Sequence, residues 1–367
     1  MSGTIRGAGP GFANVDCWGT VRKTDAHRAR RKDRGRCIMN AIAREDGMIA
    51  RLRLGAVAAA VALVGLIAPA QAAYPERHIT FVIPFSPGGG FDTYVRLVAP
   101  FLEKHLPNKI NVIIKNVPGA GGRKGLTEVY RAKPDGYTIV IVNVPGAMVP
   151  PLVGQKVDYD LEKITWLARL SIDSYLLTVA GKSPIKSYAE FKTFAASNPV
   201  KVPSTGSGST ANVMSKVFFG VLGIKGQLVS GYKGTKEMTL SVIRGDTPAG
   251  ILPSESTRKY IESGDIRALL TTEDPSDYPA VPSAKSLGLA DLDGLFIHRL
   301  IAAPPGLPSP IRKVLSDAFA KAMNDPALKA AAEKVQRPFS PLDGAQAEDA
   351  VKKQLALYLR FKDQLKD

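Results

Sequence analysis

The sequence predicts an α/β fold made of two units with a cleft between them. Three observations carry this. From residue 79 onward, short apolar runs alternate with segments of helical period, the pattern of strands connected by packed helices. The alternation occurs twice, over residues 79–142 and again over 176–271. In each half a loop rich in glycine or serine follows a strand and precedes a helix, which is where α/β sheets hold ligands.

The elements follow in order. Ile79–Pro84 reads as a buried strand, and Thr93–His105 as a helix whose apolar face is Val95, Leu97, Val98, Phe101 and Leu102. Asn111–Lys115 is a second strand. A glycine-rich turn, NVPGAGGRKG (116–125), leads into a helix that runs through Ala132, and PDGYT (134–138) is a turn. Thr138–Val142 is a third strand, so the first half should form a parallel sheet with helices on both faces. In the second half, Leu176–Val179, Lys201–Ser204, Lys225–Ser230 and Arg267–Thr271 read as strands. Helices are expected from about Ser187, over Ala211–Leu222 and over Lys236–Ile243. After APPGLPSP (303–310), two amphipathic helices, Ile311–Met323 and Ala345–Leu365, should finish the chain.

Met48 opens an export pattern. Arg51 and Arg53 precede an uncharged apolar stretch of 15 residues, Leu54–Ala68, and Ala70-Gln71-Ala72 is a small-residue cleavage signal. The stretch is short for a membrane span, which needs about 20 residues. Residues 48–72 are therefore read as a signal peptide cut near Ala72, with the bacterial periplasm as destination. Residues 1–47 are Arg- and Gly-rich, lack apolar periodicity and are expected to be a disordered upstream segment from a misassigned start codon. The rival reading, a basic nucleic-acid-binding arm, has no use in an exported protein.

The whole chain carries +16. The residues after Ala72 hold 37 Lys and Arg against 28 Asp and Glu, a net +9 that suits capture of anionic solutes. Both cysteines, Cys17 and Cys37, lie upstream of Ala72. The remainder can have no disulfide, no Cys-based metal site, no thiol nucleophile and no lipid-bearing cysteine. His78, His105 and His298 are scattered, and none has a carboxylate at metal-ligand spacing. The loop TGSGST does not fit a nucleophile elbow. Neither glycine loop places the Lys of a phosphate loop, and PGAGGRKG fails the dinucleotide fingerprint at Lys124. No nucleic-acid-binding motif, metal or cofactor is expected.

What remains is binding. The first loop offers backbone donors from Gly88, Gly89 and Gly90, the Ser86 hydroxyl and the Phe91 ring. The second offers the hydroxyls of Ser204, Thr205, Ser207, Ser209 and Thr210 with the amides of Gly206 and Gly208. Neither loop contains Lys or Arg. Such a neutral cradle of donors at a helix start suits a carboxylate that must be released again. Either loop alone could be a tight turn; two of them, each before a helix in its own unit, favour a site.

Eight segments occur in order from Tyr74 almost to the C-terminus: YPERHITFVIPFSPGGGFD, NVPGAGGRKG, KPDGYT, YDLEKITWLARL, STGSGS, GYKGT, YPAVPSAKSLGL and APPGLPSP. In these the chain resembles the Bug family, periplasmic solute-binding proteins of tripartite tricarboxylate transporters. The resemblance implies a type II periplasmic-binding-protein fold, two lobes closing on an organic carboxylate, with no cofactor. By motif, the loops that grip the carboxylate are Phe85 to Asp92 and Ser204 to Thr210, and Tyr232 faces the same cleft. Asp92 itself reads better as the acid that orders the first helix. One departure stands out. RGDTPAGIL (244–252) has Pro248 where the family often has an acid, which argues against amino-acid ligands.

The expected organisation is one lobe from residues 73–173 plus 295–367 and a second from 174–294. The expected function is a non-enzymatic, monomeric periplasmic receptor that hands a small carboxylate to a membrane permease. The alternatives are a secreted serine hydrolase using a serine of TGSGST, and a ligand-sensing receptor without transport.

Overall fold

The computed structural model describes residues 74–366; the expected signal peptide and the segment before it lie outside the described residues. The strands sort into two groups, one per lobe. The first lobe is built on a six-stranded sheet ordered β11-β4-β10-β3-β1-β2, from β1 (Ile79–Ile83), β2 (Val112–Asn116), β3 (Thr138–Val144), β4 (Thr165–Asp173), β10 (Ile297–Ala303) and β11 (Leu342–Asp343). The second lobe holds a three-stranded sheet ordered β8-β5-β9, from β5 (Tyr175–Ala180), β8 (Gly250–Pro253) and β9 (Ile266–Thr271). It also holds a strand pair, β6 (Val200–Pro203) with β7 (Gly226–Val229). The chain crosses between lobes at 173–175 and again between β9 and β10.

The central strands are buried on both faces, which is why they read as unbroken apolar runs. Ile79, Phe81, Val82 and Ile83 of β1 are fully buried, as are Ile139, Val140, Ile141 and Val144 of β3. Each such side chain contributes about 1.5–3 kcal/mol of burial. The helices α1 (Gly90–His105) and α8 (Ser309–Asn324) cover this sheet, with Phe81 of β1 set edge-on to Phe319 of α8 at 6.1 Å.

The expectation of parallel sheets holds only in part. β1 pairs in parallel with β2 and β3, and β6 with β7. β10, however, runs antiparallel to both β3 and β4, and the three-stranded sheet is antiparallel throughout. An apolar run reports burial and not direction. Direction is decided by how the chain returns, and β10 enters the first sheet from the other lobe. β4, β8, β10 and β11 are strands beyond those expected; polar residues interrupt β4 (Arg169, Ser171, Asp173) and β10 (His298, Arg299), and β11 has only two residues.

The C-terminal region is also more divided than expected. Asp325 ends α8 and caps α9 (Pro326–Lys334), its Oδ1 accepting the Ala327 N–H at 2.9 Å, with Pro326 at the first helical position. Asp343 and Gln346 form a capping box for α10 (Gly344–Leu359), and a break at Arg360–Phe361 separates α11 (Lys362–Leu365). The remaining helices are α2 (Arg123–Tyr130), α3 (Val149–Leu152), α4 (Tyr188–Ser197), α5 (Thr210–Leu222), α6 (Thr235–Arg244) and α7 (Ser254–Glu262). Ser187 is the N-cap of α4, as its position suggests, accepting the Glu190 N–H at 3.2 Å.

Candidate functional site

The first loop is ordered by Asp92, from the first turn of α1. Its Oδ2 accepts the Gly88 N–H at 2.9 Å and the Arg96 Nε–H at 2.8 Å, and its Oδ1 accepts from Asn116 Nδ2 at 3.0 Å. Burial alone would raise this carboxyl, but the hydrogen bonds from Arg96, Gly88 and Asn116 overcome it and hold Asp92 below its ordinary value. The carboxylate is thus engaged in shaping the loop. Gly90 begins α1 in a crowded place. A Cβ there would lie 2.5 Å from Ser256 Oγ and 3.1 Å from Arg299 Nη2. Gly89 has room, its nearest neighbour being the Ser86 carbonyl at 3.9 Å.

The second loop is held from within and from the opposite lobe. Ser204 Oγ accepts the Gly206 N–H at 3.2 Å, and Ser209 caps α5 by accepting the Asn212 N–H at 3.2 Å. Gly208, at φ +70°, packs against α3: a Cβ there would lie 2.6 Å from Pro150 Cγ. Thr210 donates to Asn143 Oδ1 and accepts the Gly146 N–H at 2.8 Å, bonding the start of α5 to the end of β3. The first loop is also joined across the cleft to the segment between β7 and α6, through Ser86 N–H to the Lys233 carbonyl at 3.4 Å. Ser207 is exposed.

Two neighbouring cavities lie between the lobes. The inner one, about 30 Å³, is lined by Phe85, Gly89, Gly90, Phe91, Asn143, Tyr175, Thr205, Thr210, Ala211, Thr235, Met238, Pro253 and Ile297. It is no larger than a water or two requires. The outer one, about 310 Å³, is lined by Phe85, Thr205, Tyr232, Lys233 and the Pro118–Gly122 turn. Phe85 and Thr205 belong to both and form the partition. Phe91 packs on Phe85 with ring centres 4.8 Å apart and beneath the Arg299 guanidinium at 5.5 Å, so it narrows the inner cavity.

Of the residues singled out in the sequence, Phe85, Gly89, Gly90, Phe91, Thr205 and Thr210 line the inner cavity, and Tyr232 the outer. Ser86, Gly88, Asp92, Ser204, Gly206, Ser207, Gly208 and Ser209 line neither and shape the loops behind them. Asn143, Tyr175, Thr235 and Pro253 were not anticipated. Asn143 did leave a signal, as the one polar residue between the ends of the apolar run TIVIVNV.

Four helices begin at the inner wall: α1 at Gly90, α5 at Thr210, α6 at Thr235 and α7 just after Pro253. The first-turn N–H groups of a helix have no intrahelical acceptor and carry the positive end of its dipole. At α1, α6 and α7 the N-cap residue supplies no side-chain acceptor. No histidine lines either cavity. The chemistry available is anion binding by neutral donors, with Lys233 at the outer rim.

Residues 95–352 match the tripartite tricarboxylate transporter family receptor. The chain belongs to this family. A Cupriavidus necator relative, the UPF0065 protein in the gbd 5′ region, is 31% identical over 284 residues, covering 76% of this receptor and 84% of that protein. The periplasmic binding protein BugD superposes with a TM-score of 0.73 at 22% identity, over 79% of this chain and 98% of that one. MatC from Rhodopseudomonas palustris, solved with bound malate, gives 0.71 at 24% identity, over 80% and 100%. The receptor has the two-lobed periplasmic-binding-protein fold of these structures, and it is a binding protein rather than an enzyme, which removes the hydrolase alternative.

Proposed function

We propose that this receptor captures a small organic carboxylate in the periplasm and presents it to the membrane permease of a tripartite transporter. The observation that carries this is the convergence of four helix N-termini on one small cavity that contains no lysine or arginine. Each helix start favours an anion by about 0.3–1 kcal/mol, and by up to about 2 when partly buried. The MatC structure with malate supports a carboxylate as the class of ligand.

The lobes we assign are residues 73–173 with 295–367, and 174–294. The two crossings between sheets, at 173–175 and between β9 and β10, support that division. The inner cavity is too small for a dicarboxylate, so uptake requires the lobes to part and then to close on donors from both. The signal-peptide pattern supports export, with cleavage near Ala72 and a soluble monomer as product. A thermal-shift screen against mono-, di- and aromatic carboxylates tests the reading. A ligand at 100 times its Kd adds about 2.7 kcal/mol of stability. No shift with any member of the panel would remove it. Ligand sensing without transport uses the same binding chemistry, and capture of the permease by the loaded receptor separates the two.

A further inference from the structure

Directly behind Gly90 and Phe91 lies a buried charge cluster that joins the lobes. Arg299 of β10 donates from Nη2 to Asp173 Oδ2 at 2.8 Å and from Nη1 to Ser171 Oγ at 3.1 Å, and its Nη1 lies 3.3 Å from Glu255 Oε2. Arg299 and Asp173 are almost wholly buried, and Glu255 nearly so. Glu255 belongs to α7 in the second lobe; Tyr94 of α1, Arg299 and the segment after α9 belong to the first.

With Glu255 a carboxylate, the single Tyr94 proton has two acceptors within reach and can serve only one of them. Tyr94 Oη lies 2.7 Å from Glu255 Oε2 and 2.8 Å from the Pro338 carbonyl oxygen. A phenol has one proton, and a carbonyl can only accept. When Tyr94 donates to Pro338, the short contact with Glu255 is a hydrogen bond only if Glu255 donates. Asp173 is better served as an anion: burial raises its carboxyl too, but its Oδ2 accepts from Arg299 and its Oδ1 accepts the Glu255 N–H at 3.0 Å, and both bonds oppose that rise. The Arg299 guanidinium then faces one carboxylate and one acid, while Arg337 donates to the Glu255 backbone carbonyl.

The titratable and charged groups that act most strongly on the Glu255 carboxyl are Asp173 from β4, Arg299 from β10, Tyr94 from α1 and Arg337 from the segment after α9. Burial first, and the Asp173 charge second, push Glu255 up to about 8, against the attraction of Arg299 and Arg337. The position matters for binding. Glu255 sits in the first turn of α7, whose N-terminus abuts the inner cavity. Ionised, it would set a negative charge against the same helix dipole that favours the ligand. The first-turn acid of α1 is different, since Asp92 has Arg96 to itself.

We propose that Glu255 is a carboxylic acid when the lobes are closed, and that closure over an anionic carboxylate takes up this proton. The proposal rests on the carboxylate-receptor reading above. When the lobes part, Glu255 separates from Tyr94, is hydrated and returns toward its ordinary acidity. Closed-state protonation therefore favours binding fully at low pH, and the advantage is lost as pH rises toward 8.

Malate titration calorimetry at pH 6.5, in two buffers of different ionisation enthalpy, should show uptake of up to one proton per ligand bound. Malate is fully ionised there and contributes none. Between pH 6.5 and 8 the affinity should fall by up to tenfold per unit. Glu255→Gln, whose amide can donate to Tyr94 as the acid does, should bind with no proton uptake and no such slope. Independently, the infrared spectrum of the malate-saturated wild type at pH 6.5 should contain a protonated-carboxyl band that malate-saturated E255Q lacks. Absence of that band overturns the proposal, and so does malate binding without proton uptake. Absence of heat with malate and with every other carboxylate of the panel removes the receptor reading and the coupling with it.

Discussion

Gly146 donates its N–H to Thr210 Oγ1 at 2.8 Å, and the same hydroxyl donates to Asn143 Oδ1. One side chain from the second lobe thereby completes two polar groups of the first, all of them buried or in contact with the inner cavity. A Cβ on Gly146 would lie 2.6 Å from both the Thr210 nitrogen and its Oγ1, so the contact is available only to glycine.

Thr210→Val should therefore weaken closure while leaving each lobe folded. The substitution keeps the shape but leaves a buried donor and acceptor unpaired, a cost of about 1–3 kcal/mol. The dissociation constant for a carboxylate should rise about tenfold or more. Small-angle scattering of the variant at saturating ligand should give a larger radius of gyration than the wild type. An unchanged radius and affinity would show that this contact does not hold the lobes together.

Gly89 and Gly90 are neighbours that should respond differently. Gly90→Ala forces a methyl into Ser256 Oγ and Arg299, displacing the groups beneath the cavity floor. It should cost about 1–3 kcal/mol in stability and most of the ligand affinity. Gly89→Ala meets nothing closer than 3.9 Å and its φ is −86°, so it should be tolerated. Urea unfolding and calorimetry on the two variants check this, and equal behaviour would misplace the start of α1.

Acid should destabilise the protein through His298. The imidazole is buried, neither ring nitrogen has a partner among the described residues, and burial, then the Arg169 charge, lowers it to about 4. Because the folded value lies below the unfolded value of about 6.5, protonation favours the unfolded chain. Stability is complete above about pH 6.5 and falls as pH drops toward 4, by up to roughly 1.4 kcal/mol per unit. His298→Phe should flatten that part of the profile relative to the wild type in urea midpoints measured from pH 7.5 to 4.5. A slope unchanged by the substitution would assign the acid sensitivity elsewhere.

Processing can be checked directly. Protein recovered from the periplasm should have the intact mass of a chain starting at or near Ala73, because the basic, apolar and small-residue regions of a signal all follow Met48. An exported species that retains residues 1–47 would contradict the assigned start.

The sequence by itself determined the α/β class and the two-unit organisation, and it singled out the two loops. Each depends on local chemistry: Ile79–Pro84 is apolar because β1 is buried on both faces, and the loops need glycine where Gly90 abuts the Ser256 and Arg299 side chains and Gly208 abuts Pro150. Asp92, expected to order the first helix, instead orders the loop before it by accepting the Gly88 N–H. Tertiary structure alone decided the direction of β10, because burial leaves the same apolar signature whichever way a strand runs. It also decided which loop hydroxyls face the cavity. Ser204 and Ser209 are turned inward to their own loop, while Thr210 meets Asn143, 67 positions away. The cluster of Tyr94, Asp173, Glu255 and Arg299 was invisible for the same reason. Its four members are scattered singly along the chain, and only the packing of α1, β4, α7 and β10 removes water from between them and makes one proton count.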